Sequence, residues 1–365
     1  MVRFWLATLG VLAGTLFPPM CIVGMDGTPE VSVVIPVYNG EAYLARALDS
    51  VLNQNFRDLE IICVDDGSTD GALEILKKYA ARDPRIVVLE NVINRGTLYT
   101  RLRGILHSKG AYIMTLDPDD EFLPEIIEKA HKVATAHDAD IVHFNAKYVT
   151  ECGAGKRMCR KKGPIFRTLD GPSASDVFVD GHNVHVWDKM FAREPLVAAA
   201  RYLFPWARRN HIIYGEDTIT LAFTAKNIRR YVGIEIFGCT HYISTGVMWK
   251  ARQNASKFMR QLSDQRLAYL KMVVGMIELG DSAHAARLLH RFHAPFYEYI
   301  AILPLQDGID LFSKYIEPMS LKTRLKAARK MRCASPQWCR EISQLARIAR
   351  NGIQAGADMD RAQAQ

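Results

Sequence analysis

The sequence predicts an α/β fold: a mainly parallel sheet flanked by helices, followed by a helical C-terminal extension. Short apolar, β-branched runs alternate with amphipathic helical patterns from Val31 to about residue 145. Those runs are apolar at nearly every position, as in strands buried on both faces. Acidic turns follow the second and fourth runs, at the end of the strands where parallel sheets bind ligands.

The elements follow in order. "VSVVIPV" is the first strand, and Leu44, Ala47, Leu48, Val51 and Leu52 then recur at helical spacing. "LEIICV" is the second strand, followed by a helix through Leu73, Leu76 and Ala80; "RIVVLE" is the third. Leu98, Leu102, Ile105 and Leu106 mark a helix that Gly110 can end, and "AYIMTL" is the fourth strand. Such alternation implies right-handed crossovers. A helix over Pro124–Ala136 and the strand "DIVHFNA" continue the pattern, and "CGAGKRMCRKKG" is expected as a polar, mobile loop. Between about 165 and 245 the expectation is short strands around "NVHVWDKMF" and "RRYVGIE", with a helix after "YGEDT". Beyond about 250 come helical hairpins, "FMRQLSDQRLAYLKMVVGMIEL" then "AHAARLLHRF", and a basic amphipathic stretch, Leu321 to Arg350. The domain reading is residues 1–27 as a hydrophobic segment, 28–247 as the α/β domain divided near 120, and 248–365 as helical.

At 365 residues and 49% hydrophobic, the chain can bury a large core. Its 47 Lys+Arg against 39 Asp+Glu give +8, which suits anionic small molecules, phosphates or a lipid surface and does not single out nucleic acid. The seven cysteines lack CxxC spacing and read as reduced, buried thiols. The N-terminus has no charge between Arg3 and Asp26, a gap that as a helix would span about 30 Å. Pro18 and Pro19 interrupt it and leave Phe4–Phe17, a run of signal-peptide length. Three readings stay open: signal peptide or membrane anchor, which imply a secretory or membrane-associated protein, or a true start at Met25, which implies a cytoplasmic one.

The chemistry concentrates in "LDPDDEF". Pro118 pushes the preceding residue toward extended backbone, where side chains two apart point the same way. Asp117 and Asp119 are therefore expected to converge on a hard divalent cation, Mn2+ or Mg2+, shared with diphosphate oxygens. The competing reading is an acidic cap for the next helix, which accounts for Asp120 and not for Asp117. In "VDDGSTDG", Ser68, Thr69 or Asp70 can cap a helix, which leaves Asp65 and Asp66 to accept hydrogen bonds from a base or ribose. Pro36 and Tyr38 in "IPVYNG" can present backbone and an aromatic edge to a flat base. The strand ends thus outline one slot: base at Tyr38 and Asp65, ribose at Asp117, diphosphate and metal at Asp119. No glycine-rich phosphate cradle is present; "GAGKR" lacks the spacing and hydroxyl of a P-loop.

"VSVVIPVYNG", "CVDDGSTDG" and "NRGTLYTRLRGILHSKGAYIMTLDPDDEFLPE", in this order, resemble the nucleotide-binding half of the family 2 glycosyltransferases, inverting, metal-dependent enzymes of the GT-A fold. The resemblance is strong over about 31–130 and continues through "HVWDKMF" and "YGEDTI". It implies base contact by Asp65 and Asp66, metal binding by Asp117 and Asp119, and Arg101 near the nucleotide. The family's frequent Ala-Arg-Asn is Thr100-Arg101-Leu102 here, so an asparagine contact is lost. The resemblance further implies Asp217 as general base with Glu216 its acidic neighbour, removing a proton from an acceptor hydroxyl. Helix-terminal acids are the alternative for that pair. Trp187 and Lys189 match a segment that faces acceptor or phosphate, with a core tryptophan as the alternative, and His241 matches a late histidine that some members place on the metal. His182 and His185 read as packing residues. The sequon at Asn254 matters only in a secretory lumen. The QxxRW motif and multiple spans of processive members do not occur, so transfer of a single sugar is expected, from a nucleoside-diphosphate sugar (a UDP-sugar foremost) to a glycan, lipid or protein. Leu321–Arg350 offers a membrane-surface contact. A catalytically silent nucleotide-binding or scaffold protein is the alternative, and a nucleotidyltransferase would need a basic glycine-rich loop where "PVYNGEAYL" stands.

Overall fold

A computed structural model describes residues 27–152, 155–159, 166–179, 185–243 and 255–281. The N-terminal hydrophobic segment, His182, Asn254, "AHAARLLHRF" and Leu321–Arg350 lie outside the described residues. Among the described residues no helix is long and apolar enough to cross a membrane.

Strand β1 (Val31–Val37) is buried at all seven positions, as its unbroken apolar run predicts. It lies between β2 (Leu59–Asp65) and β4 (Tyr112–Thr115), parallel to both, and β3 (Ile86–Glu90) pairs parallel with β2. Helices α1 (Leu44–Leu52), α2 (Ala72–Ala80) and α3 (Thr97–His107) make the crossovers. Val34 joins one core with Leu98, Leu102 and Ile105 of α3, while Val33 and Ile35 face the other with Leu44, Leu48 and Leu76. This period-two division puts the strand ends between two helical layers.

Beyond β4 the sheet becomes mixed, in the order β3-β2-β1-β4-β9-β6-β10-β5. β9 (Lys189–Ala192) runs antiparallel to both β4 and β6 (Ile141–Cys152), whereas β10 (Arg230–Tyr242) is parallel to β6 and antiparallel to the two-residue β5 (Glu121–Phe122). Irregularities around Phe237 let β10 run six residues past Ile236, to Tyr242, and so bring His241 up to the turn after β4.

Several expectations are corrected. "NVHVWDKMF" contributes to the short strand β9 as expected, whereas the strand at "RRYVGIE" is long, β10 running over thirteen residues. The polar segment expected as a mobile loop contributes β7 (Gly155–Cys159), antiparallel to β6; backbone pairing holds it, so composition concealed it. β8 (Thr168–Asp170) adds a short edge on β10, and α5 (Pro172–Val179) follows. Helix α6 (Arg193–Ala207) was concealed by Pro195 and Pro205; Pro195 sits in its first turn, where no intrahelical N–H is needed. Helix α4 (Ile126–His137) starts after left-handed Glu125, so Asp120 does not cap it. Helix α7 (Glu216–Ala225) begins inside "YGEDT", at Glu216, rather than after it. Helix α8 (Ala255–Glu278) buries Ala268, Met272, Val273 and Met276 in the same core as Ile219 and Phe223, so the packed unit runs past residue 247. Cys63 and Cys239 are buried free thiols.

The closeness of α3 to the sheet gives a test. A Cβ on Gly104 would lie 2.4 Å from Val34 Cγ1, a stiff β-branched side chain in the core. Overpacking of this kind costs about 1–3 kcal/mol, against about 1 kcal/mol gained in helix propensity. Gly104→Ala is therefore expected to lower the thermal midpoint; a rise would show that α3 can stand off the sheet.

Candidate active site

One buried cation organises the strand ends. Arg101, on the inner face of α3, is 1% exposed. Its Nη2 donates to Asp117 Oδ1 at 2.7 Å, while Nη1 lies 3.0 Å from Asp217 Oδ1 and 3.4 Å from Glu216 Oε1. Asp117 follows β4 and the other two open α7, so the guanidinium joins the two halves of the chain. It lacks enough charge for three carboxylates. Burial, then repulsion from Asp217, pushes Glu216 up to about 8. Burial also raises Asp117, against the pull of Arg101. Asp217 goes the other way: burial opposes ionisation, but Arg101 foremost, with His185 and Lys189, holds it below the usual carboxylate range.

"DPDD" is a turn and not an extended segment. The Asp120 amide donates to the Asp117 carbonyl at 3.1 Å, with Pro118 and Asp119 in the middle positions, where proline's fixed φ suits the first. Asp120 is 1% exposed and faces β10: Oδ2 pairs with His241 Nδ1 at 2.7 Å and Oδ1 accepts the Tyr242 amide at 3.0 Å. That is the role expected of a helix cap, transferred to a strand. Asp119 is partly exposed, and its carbonyl accepts from Arg46 Nη2. The Arg46 guanidinium also covers the Tyr242 ring at 3.7 Å, tying α1, the turn and β10 together. Of this turn's acids, Asp120 is engaged with His241 and the Tyr242 amide and Glu121 with the Tyr242 hydroxyl, and among the described residues no group of three or more His, Cys, Asp or Glu forms a ready-made metal cage.

At the end of β2 the two aspartates separate in role. Asp66 is fully engaged: Oδ1 accepts from Asn91 Nδ2 and the Arg95 amide, each at 2.8 Å, and Oδ2 accepts the Gly96 amide at 3.0 Å. It shapes the loop after β3, and no free oxygen remains for a base. Asp65 Oδ2 accepts the Gly67 and Ser68 amides at 3.1 Å, whereas its buried Oδ1 has no hydrogen-bond partner. A buried acceptor without a donor is costly unless a ligand supplies one. Nearby, Tyr38 is 48% exposed after β1, and Pro36 lies inside the strand opposite Val64. Asn39, left-handed at φ 51°, accepts the Thr69 amide on its side chain at 2.8 Å and locks the two loops.

On the opposite wall, Trp187 is sandwiched between His185 and His241, with ring centroids 4.9 and 4.7 Å away. At 2% exposure it is a core side chain that forms the backing of the site. Lys189 does not face the cleft: it is wholly buried, its Nζ 2.5 Å from Asp188 Oδ1 and 2.5 Å from the His185 carbonyl. Asp188 in turn meets His143 Nε2 at 3.3 Å, a pair sealed beneath the sheet. Burial lowers the Lys189 pKa despite Asp188. For His241 burial also favours the neutral ring, but Asp120 outweighs it and raises the pKa. His185, read from the sequence as packing, is 35% exposed with Nδ1 3.7 Å from Asp217 Oδ2. Its only sequence signal was its place two residues before Trp187, on the same side of an extended segment.

Residues 32–193 match the family model for "Glycosyl transferase family 2". Among curated proteins, the chain is 36% identical over 144 residues to a poly(ribitol-phosphate) beta-glucosyltransferase of Bacillus spizizenii, covering 39% of this chain and 23% of that one. It is 31% identical over 186 residues to the uncharacterized glycosyltransferase EpsJ of Bacillus subtilis, 48% of this chain and 51% of the relative. The chain thus spans about half or less of the length of these curated relatives. Among solved structures, S. aureus TarS 1–349 in complex with UDP-GlcNAc superposes with a TM-score of 0.56 at 17% identity, over 88% of this chain and 92% of that one. At that identity the likeness establishes the fold, the GT-A arrangement of a mostly parallel sheet flanked by helices. The match to glycosyl transferase family 2 thus spans residues 32–193, a little under half of this chain.

Proposed function

We propose that the protein transfers one sugar from a nucleoside-diphosphate sugar to an acceptor hydroxyl with inversion, and that Asp217 is the general base. The observation that carries this reading is the meeting of Asp117 and Asp217 on Arg101, which sets a donor-side carboxylate beside a base although they are a hundred residues apart. The orphaned Asp65 Oδ1 suits the ring N–H of uracil, guanine or thymine, and the exposed Tyr38 ring adds a face for the base. The UDP-GlcNAc named with TarS makes a UDP-sugar the first donor to try, and the relative acting on poly(ribitol phosphate) directs the acceptor search to glycans and polyol polymers.

Asp117 and Asp119 would hold Mn2+ or Mg2+, with diphosphate oxygens and water completing the shell, as a hard cation that keeps its waters requires. Bound there, the ion offsets charge growing on the leaving diphosphate. The remaining steps belong to the chain. Asp217, kept ionised by Arg101, takes the acceptor proton as the hydroxyl attacks the anomeric carbon from the face opposite the diphosphate. Glu216, protonated near neutrality, adds no second negative charge beside it. Asp120 holds Nδ1 of His241 and raises its pKa, which shifts the ring toward the charged form and makes a phosphate oxygen a better partner for Nε2 than a metal. The N-terminal hydrophobic segment would keep the enzyme in the secretory path or at a membrane, with a cytoplasmic enzyme the outcome if translation starts at Met25.

Two measurements test the reading. With UDP-, GDP-, dTDP- and CMP-sugars and Mn2+, Asp217→Asn is expected to lose transfer or donor hydrolysis by about a hundredfold to ten-thousandfold, and Asp119→Ala to lose the response to metal. CMP-sugars should give a smaller thermal shift than UDP-sugars, because cytosine has no ring N–H and offers Asp65 only its amino group. Unchanged turnover in both variants would sink the enzyme. The second concerns Glu216, whose folded pKa lies above its unfolded value. The unfolded chain releases this proton near 4.5 and the folded one near 8, so wild type loses stability as pH rises through that window. Glu216→Gln removes the loss: denaturant midpoints should be similar at pH 5 and higher in the variant at pH 8. Parallel midpoints across that range would refute the assignment.

A further inference from the structure

We propose that His185 is a positioning residue for the general base, which fixes the plane of the Asp217 carboxylate so that one oxygen meets the acceptor. The proposal rests on the assignment of Asp217 as base. Asp217 touches two positive or donor groups, one on each oxygen: Arg101 Nη1 at 3.0 Å from Oδ1 and His185 Nδ1 at 3.7 Å from Oδ2. The first alone leaves rotation about the Cβ–Cγ bond; the second sets it. The 3.7 Å separation must close by several tenths of an ångström to become a hydrogen bond, and catalytic contacts commonly tighten only when substrate is bound.

The imidazole is held for this task from two directions. Its ring lies on Trp187 at 4.9 Å and 24°, and its carbonyl accepts from the buried Lys189 ammonium, which Asp188 anchors. A side chain used only for packing would be covered on its remaining edge, yet His185 is 35% exposed while Trp187 is 2% exposed. The open edge is where an acceptor enters if Asp217 is to reach its hydroxyl. Precise placement of a base is worth one to two orders of magnitude, since a displacement near 1 Å costs about a hundredfold.

The test uses the full chain with Mn2+ and UDP-GlcNAc, reading donor hydrolysis, donor affinity by calorimetry and thermal midpoint. For His185→Ala the expectation is a ten- to hundredfold fall in kcat with donor affinity and midpoint near wild type. His185→Asn, whose amide nitrogen occupies the place of Nδ1, should recover much of the rate, and His185→Gln, whose amide reaches toward the place of Nε2, should recover little. Wild-type kcat in the alanine variant overturns the proposal. So does a parallel loss of donor binding and midpoint that neither amide restores, which marks a packing residue. Hydrolysis by wild type that persists in Asp217→Asn is a different failure: it removes the base assignment, and this proposal with it.

Discussion

Charge balance around Arg101 is the constraint on which the rest of the site depends. A guanidinium removed from water would be strongly destabilising without partners, and the carboxylates it meets would repel one another without it. Each side makes the other tolerable, and together they define where α3, the turn after β4 and the start of α7 must lie. The acidic crowding of "LDPDDEF" thus has its counter-charge within the protein, on a helix that begins twenty residues earlier. The metal proposed above would add to this balance rather than create it. Because the guanidinium cannot be deprotonated, pH acts on this balance through the carboxylates around it.

The rest of the site is arranged in layers behind that cation. Arg46 and Tyr242 brace the acidic turn from α1 and β10, Asp66 shapes the loop after β3, and the Lys189–Asp188–His143 group supports the aromatic wall from beneath. None of these side chains needs to touch a substrate. What they supply is preorganisation: polar groups fixed in place before a ligand arrives, so that binding does not have to order them.

The parallel half of the fold was legible because its signals are local. β1, β2 and their helices follow from runs and spacings of a few residues, and Asp65, Arg101 and Asp117 stand at the strand ends or helix face their sequence positions imply. What stayed hidden depended on distant partners. Whether Asp65 or Asp66 keeps an open oxygen is decided by amides of Gly67, Arg95 and Gly96, and whether Lys189 faces a ligand or Asp188 is decided by how β9 inserts between β4 and β6. Asp120 follows the same rule: an acid just before a helix reads as its cap, but a strand over a hundred residues later claims it. Proline concealed α6, since its two prolines fall near the helix ends, where they do little harm.

The joint between the halves of the chain lies at Gly96. A side chain there would come within 2.7 Å of the Ile212 carbonyl, and the Leu98 amide donates to that same carbonyl at 3.1 Å. Ile212 is four residues before Glu216, so the loop after β3 is stitched directly to the segment that opens α7. The two halves therefore cannot hinge freely at this seam, nor be exchanged between homologues as independent modules. A chimaera that imported a new C-terminal half would have to bring a matching pair of backbones at residues 96 and 212.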